Sequence, residues 1–178
     1  MIYKIRIILL VLLILSAVLC DIKTYKISNK IIIFFVSSSI VINIMFNGLK
    51  GLGESITGIV LPFFVLLILY AGRMLGAGDI KLFSSIGAIM GWHYVLFCIA
   101  FSFLAGGVIA LVIMLTGKNF TTRIKYFISY MKCCFLTASF LPYSDFVNKN
   151  DGAKMRFSYA VAAGTFAYEL YMFFNSKI

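Results

Sequence analysis

Of the 6 acidic residues in this 178-residue chain, Asp21 and Asp79 stand where a carboxylate is hardest to explain. Asp21 directly follows the apolar run from Ile7 to Cys20, and Asp79 directly precedes another apolar run that begins at Ile80. The other acids have plainer settings. Asp145 and Asp151 belong to a polar stretch, and Glu54 sits in a glycine-rich turn where it can cap a helix. Glu169 falls in the last apolar segment, where packing or a hydrogen bond accounts for it as readily as function. If two carboxyls meet at one depth in an apolar medium, like-charge repulsion leaves one protonated beside an ionised partner. Such an asymmetric pair can hydrolyse an amide. The ionised member takes a proton from water while the protonated member polarises the carbonyl. Taken singly, each aspartate has a structural alternative: Asp79 as the N-cap of a helix, and Asp21 as an ion-pair partner of Lys23 or Lys26.

The elements that must position this pair are membrane helices. The composition is 62% hydrophobic and 12% charged, with a mean hydropathy of +1.04. A soluble domain is roughly half apolar and about a quarter charged, so too few charges exist here to cover the apolar surface. The net charge of +10 does not indicate a nucleic-acid partner, because the basic residues lie between apolar spans rather than along one soluble face. The four cysteines, Cys20, Cys98, Cys133 and Cys134, lack C-x-x-C spacing and sit among apolar neighbours. They read as small buried hydrophobes, not as a metal site or disulfide framework. The N-terminal stretch mimics a signal peptide, but Lys23, Lys26 and Lys30 follow its long apolar run, which favours a retained helix.

Apolar segments near 2–20, 31–47, 56–72, 80–91, 94–116 and 158–174 predict an all-α polytopic membrane protein with about six transmembrane helices. The whole chain, 1–178, reads as one membrane-embedded domain. With six spans, all of the 16 Lys and Arg residues except Lys4, Arg6, Lys50 and Lys177 fall on one side. That side should be cytoplasmic, and both termini should lie outside. Residues 120–142 carry Ile124, Phe127, Ile128, Met131 and Phe135 at helical spacing. They suit an amphipathic helix on the cytoplasmic surface, or alternatively a seventh span with Lys132 near its middle. In this topology Asp21 and Asp79 both lie at cytoplasmic helix ends. The segment 80–91 is only about 18 Å long as a helix, against a hydrocarbon core of roughly 30 Å. Asp79 is thus expected below the surface, with Gly76 and Gly78 supplying a non-helical turn shielded from lipid.

These stretches resemble the type IV prepilin peptidases, membrane aspartic proteases with a Gly-x-Gly-Asp signature. "GAGDIK" (76–81) is similar to the family's second motif. "DIKTYKISN" (21–29) resembles the first, an Asp followed by Ile-Pro-Asn, with Ile27 and Asn29 matching and Ser28 in place of proline. "MRFSYAVAAG" (155–164) resembles the entry to the last helix, with Ser158 at the usual proline. The resemblance implies Asp21 and Asp79 as the catalytic pair, with Gly76, Gly78, Lys81, Ile27 and Asn29 binding substrate. It also implies prepilin or pseudopilin substrates, cut at the cytoplasmic face just before a hydrophobic N-terminal helix. No metal or organic cofactor is implied. The chain lacks the paired C-x-x-C insertion of long members and resembles the short forms that serve tight-adherence pili, so no methyl transfer is expected.

Three other readings compete with this one. A non-catalytic relative that organises a pilus or secretion assembly would keep the fold without needing either carboxylate. A small transporter could relay protons through paired acids, but the opposite side offers only Glu54 and His93 as partners. A protease acting on other helical substrates would use the same pair.

Overall fold

The structure, a computed structural model, describes residues 2–24, 28–72, 75–116 and 157–175. Among these are five helices: α1 (Ile2–Thr24), α2 (Asn29–Ala71), α3 (Ala77–Met90), α4 (Trp92–Thr116) and α5 (Phe157–Asn175). The chain divides into two compact units. One comprises Met1–Gly106 and Arg156–Ile178, the other Gly107–Met155. The second unit is described only through residue 116, all of it helix.

Three helical stretches, Ile2–Lys23, Asn29–Ala71 and Trp92–Ile113, are long and apolar enough to cross a membrane. Helix suits such segments because it satisfies every interior backbone donor and acceptor without water. Large side chains such as Leu15, Phe34, Ile68 and Phe166 face outward, each more than half exposed. This is the surface a lipid environment covers.

The sequence reading expects two separate spans at 31–47 and 56–72, and here the structure differs in detail. Helix α2, Asn29–Ala71, consists of two helical arms that meet directly at Gly48, whose φ of 58° and ψ of −141° are non-helical. A residue without Cβ reaches that conformation at little cost. The break reverses the chain. Asn43 Nδ2 donates to Ser55 Oγ at 2.7 Å across a separation of 12 residues, which an unbroken helix would hold about 18 Å apart. The arms 29–47 and 49–71 therefore lie side by side. Glu54 falls inside the second arm rather than capping it, and pairs with Arg6 at 3.6 Å.

Helix α3 runs through the interior and packs mainly against α2. Leu82, Phe83, Ile86, Ala88 and Ile89 are each 1% exposed or less, as expected of a helix that is apolar on nearly every side. Close approach to α2 occurs where Gly58 and Gly87 face each other, since a Cβ on either would overlap the other's carbonyl. Pro62 helps explain this contact. Lacking an N–H, it leaves the Gly58 carbonyl without its usual intrahelical donor, and that carbonyl points at Gly87.

Polar side chains stitch the helices together at one end. Arg6 Nε donates to Asn43 Oδ1 at 2.9 Å, and Asn43 Nδ2 also donates to the Ala88 carbonyl at 3.0 Å. Ser55 Oγ donates to the same carbonyl at 3.1 Å. Nearby, Glu169 accepts from Tyr94 at 2.8 Å and from Tyr3 at 3.1 Å, joining α5 to α4 and α1. The hydrogen-bonding role open to Glu169 from its sequence is the one it fills. Cys98 is fully buried, as its apolar surroundings predict, while Cys133, Cys134 and the amphipathic stretch 120–142 lie outside the described residues.

Candidate active site

Asp21 lies in the last turn of α1 and Asp79 in the first turn of α3, both half-buried. Helix α3 begins where it does because Gly76, extended at φ −79° and ψ 148°, serves as its N-cap. The Gly76 carbonyl accepts from the Asp79 amide at 3.1 Å and from the Ile80 amide at 3.4 Å. The Asp79 side chain turns back, and its Oδ2 accepts from the Gly76 N–H at 3.3 Å. A carboxylate in this first turn is favoured by the free amides and dipole of a helix start. Gly76 leaves room for it, since a Cβ there would come within 3.1 Å of Asp79 Oδ2.

On the facing helix, Asp21 Oδ2 accepts a hydrogen bond from Ser158 Oγ at 2.5 Å, in the first turn of α5. The Asp21 and Asp79 carboxylates are near enough for the charge of one to act on the other. Three helix ends thus bring two acids and a hydroxyl together. Close by, Lys81 Nζ donates to Asn29 Oδ1 at 3.0 Å, tying the start of α2 to α3.

A groove of about 580 Å³ opens beside this cluster, between α3 and the two arms of α2. Ile33, Val36, Phe63 and Ile80 make its walls apolar, while Asn29, Lys81 and Tyr70 line its polar part. Neither carboxylate lines this groove, which reaches α3 at Ala77, Ile80, Lys81 and Ser84. Two carboxyls that sense each other's charge have the makings of a site that hydrolyses an amide.

Residues 7–111, more than half of the chain and inclusive of both aspartates, match the type IV leader peptidase family. The chain belongs to that family. No curated protein and no solved structure matches it significantly. The match ends before α5, so Ser158 lies outside the part that the family match covers.

Of the residues singled out from the sequence, Asp21, Asp79, Gly76, Gly78, Lys81 and Asn29 gather at one end of the first unit, while Ile27 lies outside the described residues. Three expectations need correction. Gly78 is not part of a non-helical turn but belongs to the first turn of α3. The helix starts early enough for Asp79 to reach its own N-cap amide. Asp79 is therefore a first-turn acid rather than the cap itself. Asp21, for its part, is engaged by Ser158 on another helix rather than by Lys23 two residues along its own. Lys26 lies outside the described residues. Sequence reasoning missed Ser158 as a site residue. Its only signal was a serine where the resembling motif has proline.

Proposed function

We propose that this chain is a membrane aspartic endopeptidase that removes the short basic leader of type IV prepilin-like proteins. The observation that carries the reading is the approach of Asp21 and Asp79, each within its own motif, from helices far apart in sequence. In the reaction, the ionised carboxylate takes one proton from a water molecule as the water oxygen bonds to the peptide carbonyl carbon. The protonated carboxyl donates to the carbonyl oxygen. Collapse of the tetrahedral adduct breaks the C–N bond, and the amine leaves with a proton returned through the pair.

The groove beside Asp79 suits a substrate whose cleaved bond precedes an apolar helix, with the Asn29–Lys81 contact at its polar part. Gly76, Gly78 and Ile27 complete the substrate-contacting set in this proposal. The aspartates face the cytoplasm, where the bias of Lys and Arg residues puts the loops that follow α1 and precede α3. The six-span topology belongs to the same proposal, with the two arms of α2 as separate crossings and α3 as a short, protein-enclosed one.

One observation favours a second reading. The Asp79–Gly76 hydrogen bond gives Asp79 a structural use that a non-catalytic subunit of a pilus or secretion assembly would retain. Co-expression with a prepilin separates the two. Cleavage by wild type and by neither Asp21→Asn nor Asp79→Asn supports the peptidase. Equal processing by all three, or a pilus assembled normally by both variants, sinks the two-aspartate mechanism.

A further inference from the structure

We infer that Ser158 is a positioning residue for Asp21, holding one carboxylate oxygen so that the other is presented to the lytic water. The inference rests on the peptidase reading above and adds a third residue to it, contributed by α5.

The geometry is specific. Ser158 is 3% exposed and lies in the first turn of α5, a buried hydroxyl with Asp21 Oδ2 as its acceptor. Asp21 itself lies in the last turn of α1, within three residues of the helix end. A carboxylate there turns about two side-chain bonds, and among the described residues no backbone amide donates to it as Gly76 donates to Asp79. A hydrogen bond from a separate helix supplies that missing restraint. It occupies a lone pair on Oδ2 and leaves Oδ1 to accept the proton of water. Restraint of this kind matters because small misplacements of a reacting group cost large factors in rate.

The hydroxyl also links two structural tasks. The turn that opens α5 has amide groups without intrahelical acceptors, and Ser, Thr or Pro can all occupy it. Only Ser and Thr can donate to Asp21. Three substitutions therefore separate the donor from the shape of the turn. Ser158→Ala removes the hydroxyl. Ser158→Pro also removes it while remaining compatible with a helix start. Ser158→Thr keeps it.

With a purified prepilin as substrate, Ser158→Ala and Ser158→Pro should lower kcat about 10- to 100-fold, the range for losing a hydrogen bond to a charged group. KM should stay within about 2-fold, because Ser158 acts through Asp21 and not on the substrate. Ser158→Thr should recover most of kcat. A rise in KM with kcat intact, or Ser158→Pro matching wild type, would overturn the proposal. A second readout does not depend on turnover. The infrared difference between wild type and Ser158→Ala should show a shifted carboxylate stretch, and the same difference taken in an Asp21→Asn background should lack it. No shift would overturn the contact itself. Cleavage absent from wild type while the band shift is present would instead defeat the peptidase reading and leave the contact standing.

Discussion

The two ends of the first unit handle polar groups in opposite ways. At the end of α1 that carries Tyr3 and Arg6, polar side chains close on one another. Asn43 is 2% exposed and Ser55 fully buried, and their hydrogen bonds run to Arg6, to each other and to the Ala88 carbonyl. Glu169 there is claimed by two tyrosines. About 22 Å further along α1, two half-buried carboxylates lie near enough for the charge of one to act on the other, and each accepts a hydrogen bond, Asp21 from Ser158 and Asp79 from the Gly76 amide. One end spends its polar atoms on holding helices together in an apolar medium, where interhelical hydrogen bonds act as ties. The other restrains its acids with single contacts, Asp21 through Ser158 and Asp79 through the Gly76 amide. That difference separates a structural network from a candidate site better than the count of polar residues does.

The sharpest way to break the comparison is to substitute both ends and look for exchanged effects. Asp79→Asn can still accept from Gly76, so its thermal unfolding in detergent should match wild type. Its prepilin cleavage should fall by a factor of about 100 to 10,000, the range for losing an acid–base group. Asn43→Leu should do the reverse. It strands the Arg6, Ser55 and Ala88 partners, costing about 1–3 kcal/mol for groups left unsatisfied. Its unfolding midpoint should drop while kcat, measured below that midpoint, stays at the wild-type value. If Asn43→Leu removed activity with stability intact, the far end would be part of the active machinery and the contrast would fail.

How much of this was legible in sequence depends on whether the signal is local. Asp21 and Asp79 could be found because a carboxylate bordering an apolar run is anomalous by itself. The glycines of "GAGD" pointed to a special turn, although only Gly76 proves to lie outside the helix. In "GLKGLGES" the composition suggested a loop through the whole stretch. The structure instead turns at Gly48 alone and resumes helix at once. Gly51 is there because a Cβ would overlap the Asn43 backbone, a packing reason that looks identical to a turn in the sequence. The partners that complete each end are far apart along the chain. Arg6 to Asn43 spans 37 residues, Tyr94 to Glu169 spans 75, and Asp21 to Ser158 spans 137. No period or spacing encodes such pairs, so an ordinary serine at 158 carried no mark of its role.

A smaller perturbation tests how finely Asp79 is set. Gly76→Ala would bring a methyl within 3.1 Å of Asp79 Oδ2, tight enough to push the carboxylate by a few tenths of an ångström. The expected result is a loss in kcat of about 10-fold or less, with unfolding little changed, because the extended backbone of Gly76 is open to alanine. A kcat equal to wild type would mean that the position of Asp79 is not critical, and the restraint seen at that end would lose its functional meaning.

The smallest effect expected comes from the other serine that stands where the resembling motif has proline. Ser28 is the N-cap of α2, at φ −69° and ψ 128°, and its side chain makes no capping hydrogen bond. Its carbonyl accepts from the Ile31 and Ile32 amides at 3.2 and 3.4 Å, a task proline performs equally well. A φ of −69° is also the value a pyrrolidine ring imposes. Ser28→Pro should therefore leave kcat unchanged and raise stability by about 0.4–1 kcal/mol, through the smaller freedom of the unfolded chain. Thermal unfolding of the two proline variants side by side, with kcat for each, makes the comparison direct. Position 28 should accept proline freely, while position 158 should accept it in fold but not in rate, because only the serine at 158 has a carboxylate to hold. Equal tolerance at both positions would count against the role given to Ser158. Equal intolerance would mean that the entry to α2 depends on the Ser28 backbone or hydroxyl in a way its hydrogen bonds do not reveal.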